Sequence, residues 1–206
     1  MPPNNDYTKD MRVTDGIVRL ARVINLFGAS GSGKSTLASG LHYELKKQWA
    51  QAEMAREFAK DVVHQETTHW FQQAILVLAE QSSRIQFIAD KYDYVITDGP
   101  LMLASWYAPK EYPDAFHQLC RALFDGYENE NFFLYRTHAY DSNGRLETEQ
   151  EASDNEAAMA WWLTDLGIPF TPLYSKDDNA VMLCDWLVHG KPLPPPEERP
   201  KISLRK

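Results

Sequence analysis

The sequence predicts an α/β fold, with one doubly wound parallel sheet of about five strands and helices on both faces. Three observations lead to this prediction. Short apolar runs alternate along the chain with longer segments whose apolar residues recur at helical spacing. The first run, RVINLF at 22–27, leads into a glycine-rich stretch and then into a helical pattern, as at a strand–helix crossover. The 206 residues, 44% of them hydrophobic, are enough to bury the core of one such domain.

The first half of the chain supplies two strands and two helices. The run 22–27 is short and apolar on both faces, which is typical of a buried parallel strand. The segment 34–49 (KSTLASGLHYELKKQW) carries three leucines at helical spacing, so a helix is predicted directly after the glycines. A weaker strand is predicted at 50–55 (AQAEMA), and a long helical pattern follows over 67–89.

The second half of the chain continues the alternation. The run DYVITD is rich in residues that favour strands, and it stops at Gly99-Pro100, a pair that breaks regular structure. The predicted elements are a strand at 93–98, a helix at 112–127, a strand at 131–136, a helix at 157–167, a strand at 168–174 and a helix at 179–190.

Polarity and proline content divide the chain into three parts. Residues 1–20 are polar and mixed, and we expect them to form an N-terminal extension. Residues 21–190 form the predicted domain, in which 137–150 is a polar, lid-like segment without apolar periodicity. Residues 191–206 are proline-rich and are predicted to be an extended tail.

Composition and charge exclude several classes of protein. No run approaches the roughly 18 apolar residues of a membrane-spanning helix, and the start lacks the apolar core of a signal peptide. We therefore expect a cytoplasmic protein with no membrane partner. The two cysteines, Cys120 and Cys184, are too few for a disulfide framework or a zinc site. The net charge of −8 argues against broad, non-specific binding of nucleic acid but leaves room for a local basic groove.

The stretch GASGSGKS at 28–35 matches the pattern G-x-x-x-x-G-K-[ST] in full. Its glycines let backbone N–H groups converge on phosphate oxygens, and the following helix adds the positive end of its dipole. We expect Lys34 to neutralise the β- and γ-phosphates of ATP and the Ser35 hydroxyl to ligate Mg²⁺. The preceding strand and following helix are the context of a P-loop, so the predicted architecture is the three-layer sandwich of P-loop NTPases. The predicted ATP-binding residues are Gly28, Ala29, Ser30, Gly31, Ser32, Gly33, Lys34, Ser35 and Thr36.

Further sequence motifs distinguish the classes of protein that contain such a loop. A GTPase needs D-x-x-G and N-K-x-D segments, but no N-K-x-D occurs here and Asp98 is followed by Gly-Pro-Leu. A motor or AAA-type ATPase needs a glutamate next to the acid that ends the strand, and YVITDGP has none. A small-molecule kinase needs an acid near the acceptor hydroxyl, Mg²⁺, and positive charge over the transferred phosphate. This chain offers all three.

Two acids follow predicted strands and are the catalytic candidates. Glu57 comes after the second strand, where it is either an acceptor for the proton of the substrate hydroxyl or a solvated acid at a helix start. Asp98 ends the third strand, and three roles stay open for it. It is a Mg²⁺ ligand, the base in place of Glu57, or a cap of the turn that follows.

Amides and arginines supply candidates for binding the acceptor and closing the site. Gln73, Gln81 and Arg84 lie near one face of the long predicted helix, where they either read a base edge of the acceptor or form its solvated side. Arg136 ends the fourth strand, and Arg145 lies in the lid-like segment. Both are candidates for an arginine that closes over the phosphates and excludes water.

Several stretches resemble the nucleoside and nucleotide kinase branch of P-loop proteins. The chain most resembles a family of small phage-encoded kinases that are similar to thymidylate kinases and to the ribosylnicotinamide kinase domain. In that phage family the activity is 5-hydroxymethyldeoxyuridine (5-hmdU) DNA kinase, which phosphorylates a hydroxymethyl base already in DNA during thymidine hypermodification. The stretches that carry the resemblance, within 22–175, are RVINLFGASGSGKST, REFAKD, DYVITDGPLMLASWYAP, NFFLYR and GIPF.

The resemblance implies roles for individual residues. The glycine loop at 28–35 takes the nucleotide-binding role, Asp98 falls on the acid after the third strand, and Glu57 falls on the acid after the second. The chain departs from thymidylate kinases at one point, because they have D-R-[YH] where Asp98 is followed here by Gly-Pro.

Three functions are compatible with the sequence. The first is a kinase that acts on 5-hydroxymethyluracil in phage DNA, located in the host cytoplasm. The second is a kinase of a free nucleoside, nucleotide or ribosylnicotinamide, which fits the acidic net charge better. The third is a nucleotide-gated regulatory ATPase that transfers no phosphate to an acceptor. The sequence predicts no particular oligomeric state.

Overall fold

A computed structural model of the chain describes residues 13–14, 17–18, 21–67, 70, 72–137 and 148–195. A short antiparallel pair, β1 (Val13–Thr14) and β2 (Ile17–Val18), precedes the main sheet. The main sheet consists of the parallel strands β3 (Arg22–Phe27), β4 (Ala52–Ala55), β5 (Tyr94–Thr97), β6 (Glu128–Tyr135) and β7 (Thr171–Tyr174). Their order across the sheet is β4-β5-β3-β6-β7, so the first strand of the domain lies in the middle.

Helices cover both faces of this sheet, and the sheet separates two apolar cores. They are α1 (Lys34–Lys47), α2 (Phe58–His64), α3 (Ala74–Ala89), α4 (Met102–Trp106), α5 (Asp114–Phe124), α6 (Glu149–Asp165) and α7 (Asn179–His189). Side chains of α1 and α7 form one core with one face of the sheet, and side chains of α3, α4, α5 and α6 form the other core. In β3, Ile24 and Leu26 enter the first core while Val23 and Phe27 enter the second. Both faces of this strand are therefore buried, as expected for a central parallel strand.

The register of the strands brings three strand ends to one edge of the sheet. Asn25 of β3 pairs with Thr97 of β5, and Thr97 pairs with Ala55 of β4. The residues that follow these strands therefore emerge side by side. Ligands of doubly wound sheets bind at this carboxyl edge.

The predicted fold class is confirmed, because the structure has five parallel strands between layers of helices. The strand predicted at 22–27 has these bounds in the structure. The division of the chain into an extension, a domain and a tail stays a prediction. Most of the lid-like segment and of the tail, and residues 1–12, lie outside the described residues.

Two helices begin far from their predicted starts, and two others were not predicted, each for a local reason. Helix α3 begins at Ala74 rather than at 67, because the N–H groups of Trp70 and Gln73 donate to carbonyl oxygens three residues back instead of four. Helix α6 begins inside the polar segment, where Thr148 and Glu151 form a capping box. Helices α2 and α4 were not predicted, because their seven and five residues are too few to show an apolar period.

Candidate functional site

The glycine loop between β3 and α1 adopts a backbone that requires glycine. Gly28 has a φ of 139°, and a Cβ there would lie 2.6 Å from the Leu134 carbonyl oxygen and 2.7 Å from the Ser32 hydroxyl. Gly33 has a φ of 93° and caps α1 without a side-chain hydrogen bond. A side chain at either position would fill or distort the loop, so these glycines keep the backbone open to a phosphate group.

The Lys34 side chain folds back over this loop. Its ammonium group donates hydrogen bonds to the carbonyl oxygens of Gly28 at 2.7 Å and Ala29 at 3.0 Å. The positive charge is thereby held at the mouth of the loop, where the charge of a bound phosphate would be balanced.

The loop after β7 is hydrogen-bonded to the glycine loop. The Ser175 hydroxyl donates a hydrogen bond to the Ser32 carbonyl oxygen, and the Ser175 N–H donates to the Tyr135 carbonyl oxygen at 3.2 Å. The Thr137 hydroxyl donates to the Ser175 carbonyl oxygen at 2.7 Å. Sequence analysis missed Ser175, because its contact with Ser32 joins positions that are remote in the chain.

The two candidate acids lie together at the ends of β4 and β5. Asp98 is only 1% exposed, and its Oδ1 accepts a hydrogen bond from the Glu57 N–H at 2.9 Å. Gly99 makes this close approach possible, because a Cβ there would lie 3.0 Å from the Glu57 Cα and Cβ atoms. Adjacent parallel strands thus bring two carboxylates that are distant in sequence into one site.

Lys60, in the first turns of α2, joins these acids to the glycine loop. Its ammonium group contacts both the Ser35 hydroxyl and Asp98 Oδ2, and it lies 3.5 Å from Glu57 Oε2. Sequence analysis did not single out Lys60, although it lies in the stretch REFAKD. Its spacing of three residues from Glu57 on a short helix was the available signal.

The two carboxyl groups differ in their electrostatic environments. Burial raises the pKa of Glu57, and the nearby charges of Lys34 and Lys60 offset only part of this effect. Burial also opposes ionisation of Asp98, but the charge and hydrogen bond of Lys60, with hydrogen bonds from Ser35 and Glu57, hold its pKa below the usual value. Asp98 is therefore the better anion and Glu57 the better proton acceptor.

The oxygen atoms of Ser35 and Asp98 suit a magnesium ion. Both are the hard oxygen donors that Mg²⁺ prefers, and the Lys60 ammonium bridges them as a cation would. Within the described part of the chain, no group of three or more His, Cys, Asp or Glu side chains could hold a metal by itself. Magnesium here would therefore need oxygen atoms from nucleotide phosphates and water to complete its coordination.

The predicted arginines fall in different parts of the structure. Arg136 is buried at the end of β6, where its backbone N–H donates to Glu156 Oε2 at 2.8 Å and its side-chain Nη2 lies 3.7 Å from Glu149 Oε1. These contacts tie it to α6. Arg145 lies outside the described residues.

The three residues predicted to read a base do not share one environment. Gln73 is exposed at the start of α3. Gln81 is buried, with its oxygen accepting from the Phe58 N–H at 2.8 Å and its amide donating to the Thr97 hydroxyl at 3.3 Å. Arg84 donates to Asp61 Oδ2 at 2.6 Å. Gln81 thus connects α2 and β5, and Gln73 and Arg84 present the more accessible polar groups.

Replacement of Gln81 by alanine is expected to lower the free energy of unfolding by about 1–3 kcal/mol, because the buried Phe58 N–H loses its acceptor. Urea denaturation measures this change. The matched control is Gln86→Ala, an exposed glutamine on the same helix, which we expect to stay within about 0.5 kcal/mol of the wild type. Unchanged stability of Gln81→Ala would instead return Gln81 to the base-reading candidates.

A cavity of about 450 Å³ opens beside Ser35 and Asp98. It runs between one face of α1 and the edge strand β4, so one end reaches the candidate metal ligands. Its volume is in the range of small-molecule sites. The residues that line it are Ser35, Ser39, His42, Glu53, Met54, Arg56, Lys60 and Asp98.

Comparison with solved structures finds the same fold in other proteins. The NadR protein in complex with NAD and AMP-PNP matches with a TM-score of 0.60 at 14% identity, over 86% of this chain and 52% of that one. The present chain thus spans about half the length of the NadR chain. Thymidylate kinase from Ehrlichia chaffeensis matches with a TM-score of 0.55 at 10% identity, over 82% of this chain and 98% of that one. At such identities the likeness establishes the fold alone.

Three further findings bear on the class of protein. No curated protein matches the sequence. Among the helices of the described residues, none has the length and apolar character needed to cross a bilayer. A family model described as an AAA domain matches residues 23–179. This range includes the glycine loop, both candidate acids and all five strands of the main sheet, apart from Arg22 at the start of β3. The chain therefore belongs to the AAA_28 family of AAA domains, on an α/β P-loop fold.

Proposed function

We propose that this protein is an ATP-dependent kinase that transfers the γ-phosphate to a hydroxyl of a nucleoside-type acceptor. The observation that carries the proposal is the pair of carboxyl groups beside the glycine loop. One is held as an anion by Lys60 and Ser35, and the other has a raised pKa. A kinase needs these two states together, one to bind a metal ion and one to accept a proton.

In this proposal the glycine loop, residues 28–36, binds the phosphates through its backbone N–H groups. Lys34 neutralises their charge, and Ser35 and Asp98 hold the magnesium ion. When bound, Mg²⁺ supplies electrostatic stabilisation of the charge on the transferred phosphate. Arg136 and Arg145 remain proposed contributors to closure over the phosphates.

Glu57 is the proposed proton acceptor for the substrate hydroxyl. Its raised pKa means that it takes up a proton more readily than an exposed glutamate. Its backbone is fixed through the hydrogen bond to Asp98. The acceptor would enter from the cavity beside α1, and Gln73 and Arg84 are proposed to contact its more distant parts.

The favoured acceptor is the 5-hydroxymethyl group of 5-hmdU in phage DNA. The sequence stretches that resemble the phage kinase family support this choice, and Arg56 and Lys60 supply positive charge along the cavity. A free nucleoside, nucleotide or ribosylnicotinamide is the second candidate. The net charge of −8 favours it, because an acidic protein has little general affinity for DNA.

One transfer assay separates these functions. The protein is incubated with γ-labelled ATP, and in parallel with DNA containing 5-hydroxymethyluracil, unmodified DNA and a panel of free nucleosides, nucleotides and ribosylnicotinamide. We expect label only in the modified DNA. Label only in small molecules would support the second candidate. Loss of ATP without a labelled acceptor would contradict a kinase and indicate a regulatory ATPase, as the AAA domain family name alone would suggest.

A further inference from the structure

The Lys60 side chain contacts both proposed ligands of the magnesium ion. Its ammonium group lies between the Ser35 hydroxyl at the start of α1 and Asp98 Oδ2 at the end of β5. Glu57 Oε2 is 3.5 Å away on the same side. A single positive charge therefore lies among oxygen atoms from three separate elements, as a bound cation would.

The burial of Asp98 explains why a positive charge is needed there. The Asp98 side chain is 2% exposed, and a buried carboxylate without a partner is strongly unfavourable. The Lys60 side chain is 34% exposed, so it reaches the carboxylate from solvent rather than from the core. Its flexible stem allows the ammonium to leave Asp98 for the neighbouring cavity without burial of a second charge.

We propose that Lys60 is a tethered cation that occupies the metal position in the nucleotide-free protein and yields it when Mg²⁺ arrives with the nucleotide. The inference rests on the proposed function for the identity of that ion. Lysine and metal compete for the same two oxygen atoms. A divalent ion alone therefore binds weakly, and nucleotide phosphates are needed to shift the balance.

Displacement by the metal ion would move the Lys60 ammonium to a second position. Once displaced, the ammonium lies near the cavity that Arg56 also lines, where it adds positive charge beside the acceptor. Lys60 is thus a positioning residue in the free protein, because its ammonium group contacts both the Asp98 carboxylate and the Ser35 hydroxyl. It is not assigned a role in proton transfer.

The test measures Mn²⁺ affinity in the absence of nucleotide by electron paramagnetic resonance. We expect Lys60→Met and Lys60→Gln each to bind Mn²⁺ about tenfold more tightly than the wild type, because the competing charge is gone. Lys60→Arg keeps the charge and should bind as weakly as the wild type. Circular dichroism and thermal melting establish that each variant is folded.

Two matched variants locate the effect. Arg56→Gln removes one positive charge from the same cavity without touching the contacts of Ser35 and Asp98, and we expect less than about a threefold change. Adding Asp98→Asn to Lys60→Met should abolish the gained affinity, because the ion loses its carboxylate ligand. A gain that survives this second substitution would place the ion elsewhere and overturn the inference.

Equal Mn²⁺ affinities for the wild type, Lys60→Met and Lys60→Gln, including no detectable binding in any of them, would also overturn it. Failure of the proposed function has a different signature. If the wild type transfers phosphate to no acceptor but the Lys60 variants gain Mn²⁺ affinity, the kinase proposal fails and the tethered cation stands. If the wild type transfers phosphate and the Mn²⁺ affinities are equal, the kinase proposal stands and the tethered cation fails.

Discussion

Replacement of Lys34 by alanine is expected to lower the rate of phosphoryl transfer by about 1,000-fold or more. The ammonium group is the positive charge that the structure holds at the glycine loop, on the carbonyl oxygens of Gly28 and Ala29. Without it, the charge on the transferred phosphate is poorly balanced in the transition state. The initial rate of transfer from γ-labelled ATP, with saturating acceptor, measures the loss.

The fold of this variant should survive. Lys34 is only partly buried, and its two hydrogen bonds to carbonyl oxygens of the glycine loop contribute about 1.5–3 kcal/mol each at most. Lys47→Ala is the matched control, because Lys47 lies on the same helix and pairs with Glu44 on the surface. We expect its rate to stay within about twofold of the wild type. Near-normal transfer by Lys34→Ala would remove the proposed mechanism.

Replacement of Asp98 by asparagine is expected to lower transfer by about 100-fold or more and to raise the Mg²⁺ concentration required. The side chain keeps its shape and its oxygen can still accept from the Glu57 N–H, so the loss reports the charge rather than the packing. The rate is measured as a function of Mg²⁺ concentration. Asp90→Asn, an exposed acid at the end of α3, is the control and should leave the profile unchanged.

Glu57→Gln separates the two acids. Because Glu57 is the proposed proton acceptor, its replacement should lower the rate of transfer but leave the Mg²⁺ requirement unchanged. If Glu57→Gln raised the Mg²⁺ requirement and Asp98→Asn did not, the two assignments would be exchanged.

The parts of the fold that sequence could predict are those governed by local pattern. A central parallel strand is buried on both faces, so β3 stands out as a short run with apolar residues at Val23, Ile24, Leu26 and Phe27. The loop of Gly28 and Gly33 is recognisable because its geometry excludes side chains at fixed positions. The capping box of Thr148 and Glu151 is also a local sequence signal, and it marks the start of α6.

The parts that sequence could not predict depend on contacts between distant segments. Lys60 looks like an ordinary surface lysine until β4 and β5 pair and bring Asp98 beside α2. Gln81 has the spacing of a solvated or binding residue, yet it is buried because α2 folds over it and takes its oxygen as an acceptor. Helical periodicity gives the face of a residue but not the partner that covers that face.

The most direct test of the central claim is a crystal structure of the wild-type protein grown with Mg²⁺ and a non-hydrolysable ATP analogue. The account predicts the triphosphate on the backbone N–H groups of residues 28–36, the metal ion between Ser35 and Asp98, and the Lys60 ammonium displaced from both. A glycine loop without phosphate at saturating analogue, or a triphosphate bound elsewhere, would contradict it.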